Sequence, residues 1–106
     1  MDASCLRFYI HESHKHHKKL AYEWLLDQAA ALGIAGGSVF RAIAGSRQGG
    51  DAGEHRDDLM ESIMDMTVMV ELIAEHSQAE AMIALVREVR LPVFFTRMAV
   101  QCGAVG

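Results

Sequence analysis

Thr67-Val68-Met69-Val70-Glu71-Leu72-Ile73 is the stretch from which the fold of this 106-residue chain is read. The run is short, bounded by polar residues and almost continuously apolar. Those features predict a strand buried on both faces. Downstream, Ser77-Gln78-Ala79-Glu80 fits a capping box, a serine followed three residues later by a glutamate. It opens a predicted helix with Met82, Ile83, Val86 and Val89 on one side and Arg87 and Arg90 in the last turn, where cations suit the helix dipole. Pro92 ends that helix, and Val93–Val100 reads as a final strand.

Upstream of the loop the same plan recurs. Leu6, Phe8 and Ile10 alternate with Arg7 and Tyr9, the period of a strand. Leu20, Trp24, Leu25, Gln28, Ala31 and Leu32 recur at helical spacing, and Gly33 is a natural stop. The spacing predicts a helix beginning between Ser13 and His17, with Ser13 as its cap. Gly36-Gly37 marks a turn, and Ser38–Ala44 reads as a second strand. Residues 45–53 hold four glycines in nine positions, a flexible connection. Residues 55–65 suit a strand or a short helix equally. The order strand, helix, strand, loop, strand, helix, strand is that of a split βαβ, or ferredoxin-like, α+β sandwich. Its antiparallel sheet carries both helices on one face. The other face, apolar in this chain, is expected to be covered by another subunit.

Composition bounds the function. The chain is 51% apolar and 23% charged, which suits a folded domain rather than a disordered one. Its length fits a single domain, residues 1–106. No apolar run reaches the length of a membrane helix, and no signal peptide is visible, so a cytoplasmic protein that is not membrane-inserted is expected. A formal net charge of −4 makes a general nucleic-acid binder a poor reading. Cys5 and Cys102 form neither a zinc spacing nor a disulfide framework. No GxSxG, HExxH or phosphate-loop lysine motif occurs, so no enzyme is expected.

The charge is nevertheless uneven. Residues 1–50 carry a balance of +2, and residues 51–106 one of −6. His11, His14, His16 and His17 lie within seven positions, with Lys15, Lys18 and Lys19 among them. Placed at a helix start, His14 and His17 would share a face and could hold a divalent transition metal, although the lysines repel a cation. Lysines at that end add to the positive pole of the helix, so Lys18 and Lys19 also suit a bound phosphate or carboxylate. In the loop, Arg47 could grip phosphate while Gln48 meets a base edge.

The segment LRFYIHESHKHHKKLAYEWLLDQAAALGIAGGSVFRAIAG (residues 6–45) carries Glu12-Ser13, then His17, Lys19 and Tyr22, and Arg41 to Gly45 at the end of strand two. With His55 and the strand at 69–73, it resembles the PII-like domain-of-unknown-function family number 190, over roughly residues 5–90. The resemblance implies a PII-like homotrimer, a signalling protein with adenine nucleotide bound in clefts between subunits. It also implies a long loop, about 45–58 here, that reports to a membrane transporter or enzyme. Gly45-Ser46-Arg47-Gln48 is similar to the start of the PII loop, and Arg87 and Arg90 fall near the expected cleft. The effector-contact set is therefore Lys18, Lys19, Gly45, Arg47, Gln48 and Arg90. The alternative is a metal-binding module on His14 and His17. Relatives commonly carry a glycine in the turn before the last strand; Leu91-Pro92-Val93 has none.

Overall fold

The computed structural model describes residues 1–43 and 67–106. Strand β1 (Asp2–His11) leads to a small ladder of β2 (Lys15–His16) and β3 (Lys19–Leu20). Helix α1 (Ala21–Ala31) and β4 (Gly37–Arg41) follow. After residues 44–66 come β5 (Thr67–Ala74), α2 (His76–Val89) and β6 (Phe94–Gln101). The four long strands form one sheet in the order β4-β5-β1-β6, and every neighbouring pair is antiparallel. This is the ferredoxin-like order expected from the sequence. The 45–58 loop, the residues 55–65 and the last position of the predicted second strand lie outside the described residues. Among the described residues no helix is long and apolar enough to cross a membrane.

Alternation along the strands sorts side chains between two faces. Leu6, Phe8, Ile10, Val68, Val70 and Leu72 point to the helices and are buried. They meet Leu25 and Ala29 of α1 and Met82, Ile83 and Val86 of α2 in one core. Met82, Ile83 and Val86 are the face predicted for α2. Burying each large aliphatic side chain contributes about 1.5–3 kcal/mol. On the opposite face, Phe40, Met69, Tyr9 and Phe94 are register partners in a row across all four strands. Among the described residues nothing covers this row, so the expected burial of Thr67–Ile73 on both faces is partial: on this side Thr67 is buried, Met69 and Glu71 are half-buried and Ile73 is exposed, and Phe40 beside Met69 is 49% exposed. An Arg7–Glu71 ion pair, 2.9 Å, sits in the next row between Ser38 and Thr96.

Gly37 sits where packing is close. A Cβ there would lie 2.7 Å from Leu72 Cδ2 and 2.9 Å from Leu26 Cδ2, so the residue belongs to the strand's close approach to α1. The turn that stops α1 is made by Gly33, whose φ is +84°.

The helix boundaries differ from the sequence reading. Helix α1 starts at Ala21, four or more residues later than predicted, and Ser13 does not cap it. Ser13 hydrogen-bonds His11 Nδ1 through its hydroxyl, 2.8 Å, and its backbone N–H, 3.2 Å. The Ala21 N–H donates instead to the His14 carbonyl, 2.8 Å, which supplies a partner for one orphan donor of the helix start. The capping box of α2 also shifts. Glu75 is the cap and Gln78 the reciprocal partner, with the Glu75 N–H donating to Gln78 Oε1 at 2.9 Å. Glutamate can serve as that acceptor, which the serine-based pattern overlooks. Ser77 lies inside the first turn, and Glu80 pairs with Arg97.

Candidate functional site

The candidate residues gather at one end of the sheet, where β1 and β4 finish and β5 and β6 begin. His11 is the register partner of Thr67, Arg41 of Val68, and Tyr9 of Phe94. The His11–Leu20 segment, the end of β4 and the α2–β6 turn therefore share that end.

The histidine- and lysine-rich segment is a hairpin here. Lys15 pairs with Leu20 and His16 with Lys19, leaving His17 and Lys18 as a two-residue turn. Both have positive φ, +53° and +66°. That is the twist a tight hairpin demands, usually supplied by asparagine and glycine. Holding a histidine and a lysine there costs on the order of 1 kcal/mol each. The hairpin removes the premise that His14 and His17 share a helical face. It equally removes the helix-start argument for Lys18 and Lys19, because neither lies in the first turn of α1. Lys19 forms an ion pair with Asp27 of that helix, which raises its pKa. Among the described residues no group of three or more His, Cys, Asp or Glu side chains is arranged to hold a metal ion.

His16 packs its ring against Trp24, centroids 4.6 Å apart, and against His17, 4.2 Å. Loss of water around its ring, followed by the nearby His17 and His14, holds its pKa below the ordinary value. Trp24 is thus a half-buried support for the hairpin as well as a neighbour of the core.

Two ion-pair groups were invisible in local sequence patterns, because their members are far apart in the chain. Arg41 donates to both carboxylate oxygens of Glu12, at 3.0 and 2.7 Å. This fork ties the start of the hairpin segment to the end of β4, immediately before residues 44–66. At the other end of the molecule, Ser4 Oγ lies 2.6 Å from His76 Nδ1 and accepts from Arg97 Nε at 3.2 Å. Arg97 also pairs with Glu80. Ser4 is buried, so the group reads as a strand-to-helix tie. Burial, then the Glu71 carboxylate, push the Cys5 thiol up, which disfavours the reactive thiolate.

Arg90 stands at the second part of this end. It follows α2 with φ +57° and ψ +41°, the left-handed conformation. Its N–H donates to the Arg87 carbonyl and the Leu91 N–H to the Val86 carbonyl, both 3.2 Å. These are the two bonds of a Schellman turn, in which glycine is the usual left-handed residue. Beneath the turn is a cleft of about 280 Å³. Phe8, Ile83, Val86, Leu91, Val93 and Phe95 supply its apolar lining, and Arg87 and Arg90 its charge. Within one chain Lys19 is held on α1 and Arg90 belongs to this cleft. Gly45, Arg47 and Gln48 lie outside the described residues.

A four-stranded antiparallel sheet in this order, with two helices on one face, defines a ferredoxin-like domain. The family model of DUF190, described as Uncharacterized ACR, matches residues 3–102. The chain belongs to that family, as the sequence resemblance implies. No curated protein matches it. Among solved structures it is similar to TTHA0516 of Thermus thermophilus, described as a PII-like signaling protein. The identity is 16% over 93% of this chain and 86% of that one, with a TM-score of 0.60. It is also similar to CPII of Thiomonas intermedia, a nitrogen regulatory PII-like protein solved with ADP, AMP and bicarbonate. There the identity is 15% over 98% of both chains, with a TM-score of 0.56. The apo form of CPII aligns at 12% identity over 94% of this chain and 92% of that one, TM-score 0.54.

Proposed function

We propose that this protein is a PII-like regulator, not an enzyme. It binds an adenine nucleotide in clefts between the subunits of a homotrimer and acts on a partner, a membrane transporter or an enzyme, through the loop at about 45–58. The observation that carries the reading is the full-length likeness to CPII, solved with ADP and AMP. The uncovered apolar row of Phe40, Met69, Tyr9 and Phe94 supports assembly through the open sheet face. The proposed nucleotide contacts are Lys18, Lys19, Gly45, Arg47, Gln48 and Arg90, the last at the α2–β6 turn of the same end.

The Glu12–Arg41 fork lies at the root of the proposed reporting loop. A nucleotide phosphate that competes for Arg41 would loosen that root. Such an effector switches the loop only to the extent that it prefers one loop state over the other.

Calorimetry with ATP, ADP, AMP and cyclic AMP tests the reading. Saturable binding of at least one of them is expected, weakened in a Lys18→Ala, Lys19→Ala double variant. Titrations without heat or saturation for any of the four would overturn the nucleotide assignment.

A further inference from the structure

We infer that His16 and His17 form a two-imidazole site for a divalent copper ion at the turn of the β2–β3 hairpin. The proposal does not rest on nucleotide binding. The two ring centres are 4.2 Å apart. Two imidazoles on adjacent corners of one square-planar ion, each nitrogen about 2.0–2.1 Å from it, hold their ring centres about 4.5 Å apart. The rings of the free chain meet edge to face, at 66°. The side-chain torsion that turns an imidazole is soft, so small rotations bring a nitrogen of each ring towards one point while the backbone stays in place.

The nitrogens of this pair are uncommitted. His11 Nδ1 is taken by Ser13, and His76 Nδ1 by Ser4. Neither the His16 ring nor the His17 ring is hydrogen-bonded to a described residue. His16 is half-buried against Trp24, centroids 4.6 Å apart, and His17 is exposed. One ring is thus steadied from behind while the other is open to solvent. Loss of water around the His16 ring keeps it neutral near pH 7, with a lone pair to offer a metal. Backbone conformation supplies a separate argument. His17 is held at φ +53°, where a tight hairpin ordinarily takes asparagine or glycine. A residue kept in an unfavourable conformation points to a use for its side chain.

The neighbouring lysines do not close the site. Lys19 is paired with Asp27, and Glu23 of the same helix lies close enough to act on it. Lys15 and Lys18 are exposed, where water and salt screen their charge. Among the described residues no third His, Cys, Asp or Glu side chain completes a larger set. A structural zinc site takes four protein ligands in a tetrahedron. A pair on adjacent corners, with water on the others, suits copper(II), which also binds such nitrogen ligands more tightly than nickel or zinc does.

Trp24 is the single tryptophan of the chain and stands beside His16, so its fluorescence is a built-in reporter. The test titrates the full chain with copper(II), without nucleotide, in a Cys102→Ser background so that the half-buried thiol does not reduce the metal. Quenching that saturates at one ion per chain is expected, with two nitrogen ligands in the electron paramagnetic resonance spectrum. Zinc, which does not quench indole, should reverse the quenching only in large excess. His17→Asn supplies the residue the turn prefers. It should melt no lower than the parent, yet lose most of the quenching at the copper concentration that half-saturates the parent. His14→Ala should leave the titration unchanged. Absence of saturable quenching would overturn the proposal. So would an unchanged titration in His17→Asn, or an equal loss in His14→Ala, which would make the copper a guest of the histidine-rich segment at large.

Discussion

The two faces of the sheet use alternate residues of the same strands but solve different problems. Leu6, Phe8, Val70 and Leu72 turn to the helices and are fully buried. Their neighbours Arg7, Tyr9, Met69 and Glu71 turn away and remain half-exposed. One face is hydrocarbon throughout its centre. The other mixes apolar side chains with the Arg7–Glu71 ion pair. Burial of the first face holds the chain in its fold. The second face has surplus apolar area but also a fixed charged pair, a combination suited to a partner surface that must match in register. Folding and association can therefore be altered separately, by changing residues one position apart.

The largest expected effect that would sharpen this division is on assembly. Phe40→Asp with Met98→Asp places two charges on the open face. The mass measured by light scattering should fall from about three times 11.7 kDa to one chain, while circular dichroism keeps its parent shape. A parent protein that already runs as a monomer would break the comparison. On the helix face, Leu6→Ala should lose about 2–5 kcal/mol in urea unfolding, because it leaves a cavity among side chains that cannot collapse fully. A smaller contrast separates two adjacent glycines. Gly37→Ala should cost about 1 kcal/mol, since its Cβ would push aside the side-chain ends of Leu26 and the fully buried Leu72. Gly36→Ala meets nothing within 4 Å and should leave the melting temperature unchanged.

The smallest effect concerns pH. The folded chain holds His16 below the ordinary histidine value of 6.5, so the unfolded chain takes up its proton first as pH falls. Its contribution is complete above about 6.5 and is lost as pH drops through the lower folded value. Melting temperatures measured across that range should decline towards acid, and His16→Gln should flatten the decline. An equal slope in both proteins would assign the acid sensitivity elsewhere.

The strands and the order of the elements were legible because periodicity and burial agree: Val68, Val70 and Leu72 could hardly be read otherwise. Helix α2 was legible for the same reason, although its cap was not. The hairpin at Lys15–Leu20 was hidden. Its turn residues are histidine and lysine instead of asparagine and glycine, and its charge resembled a polar helix start. Its structure depends on tertiary support, with Trp24 behind His16 and the His14 carbonyl serving Ala21. The cleft was partly visible, since Arg90 was among the candidates. Nothing local marked Phe8 and Phe95 as its lining, because that depends on which side of β6 faces α2. The Glu12–Arg41 fork joins residues 29 positions apart and has no local signature.

The Ala42 N–H donates to the Thr67 carbonyl at 2.9 Å, so the backbone leaving β4 and the backbone entering β5 are already fastened together. That bond closes the ladder of β4 and β5 one step beyond the last register pair, Arg41 with Val68. A short turn could join the two sides with little loss of framework. The register of β4 against β5 therefore carries its own fastening at the point where the two strands part from each other.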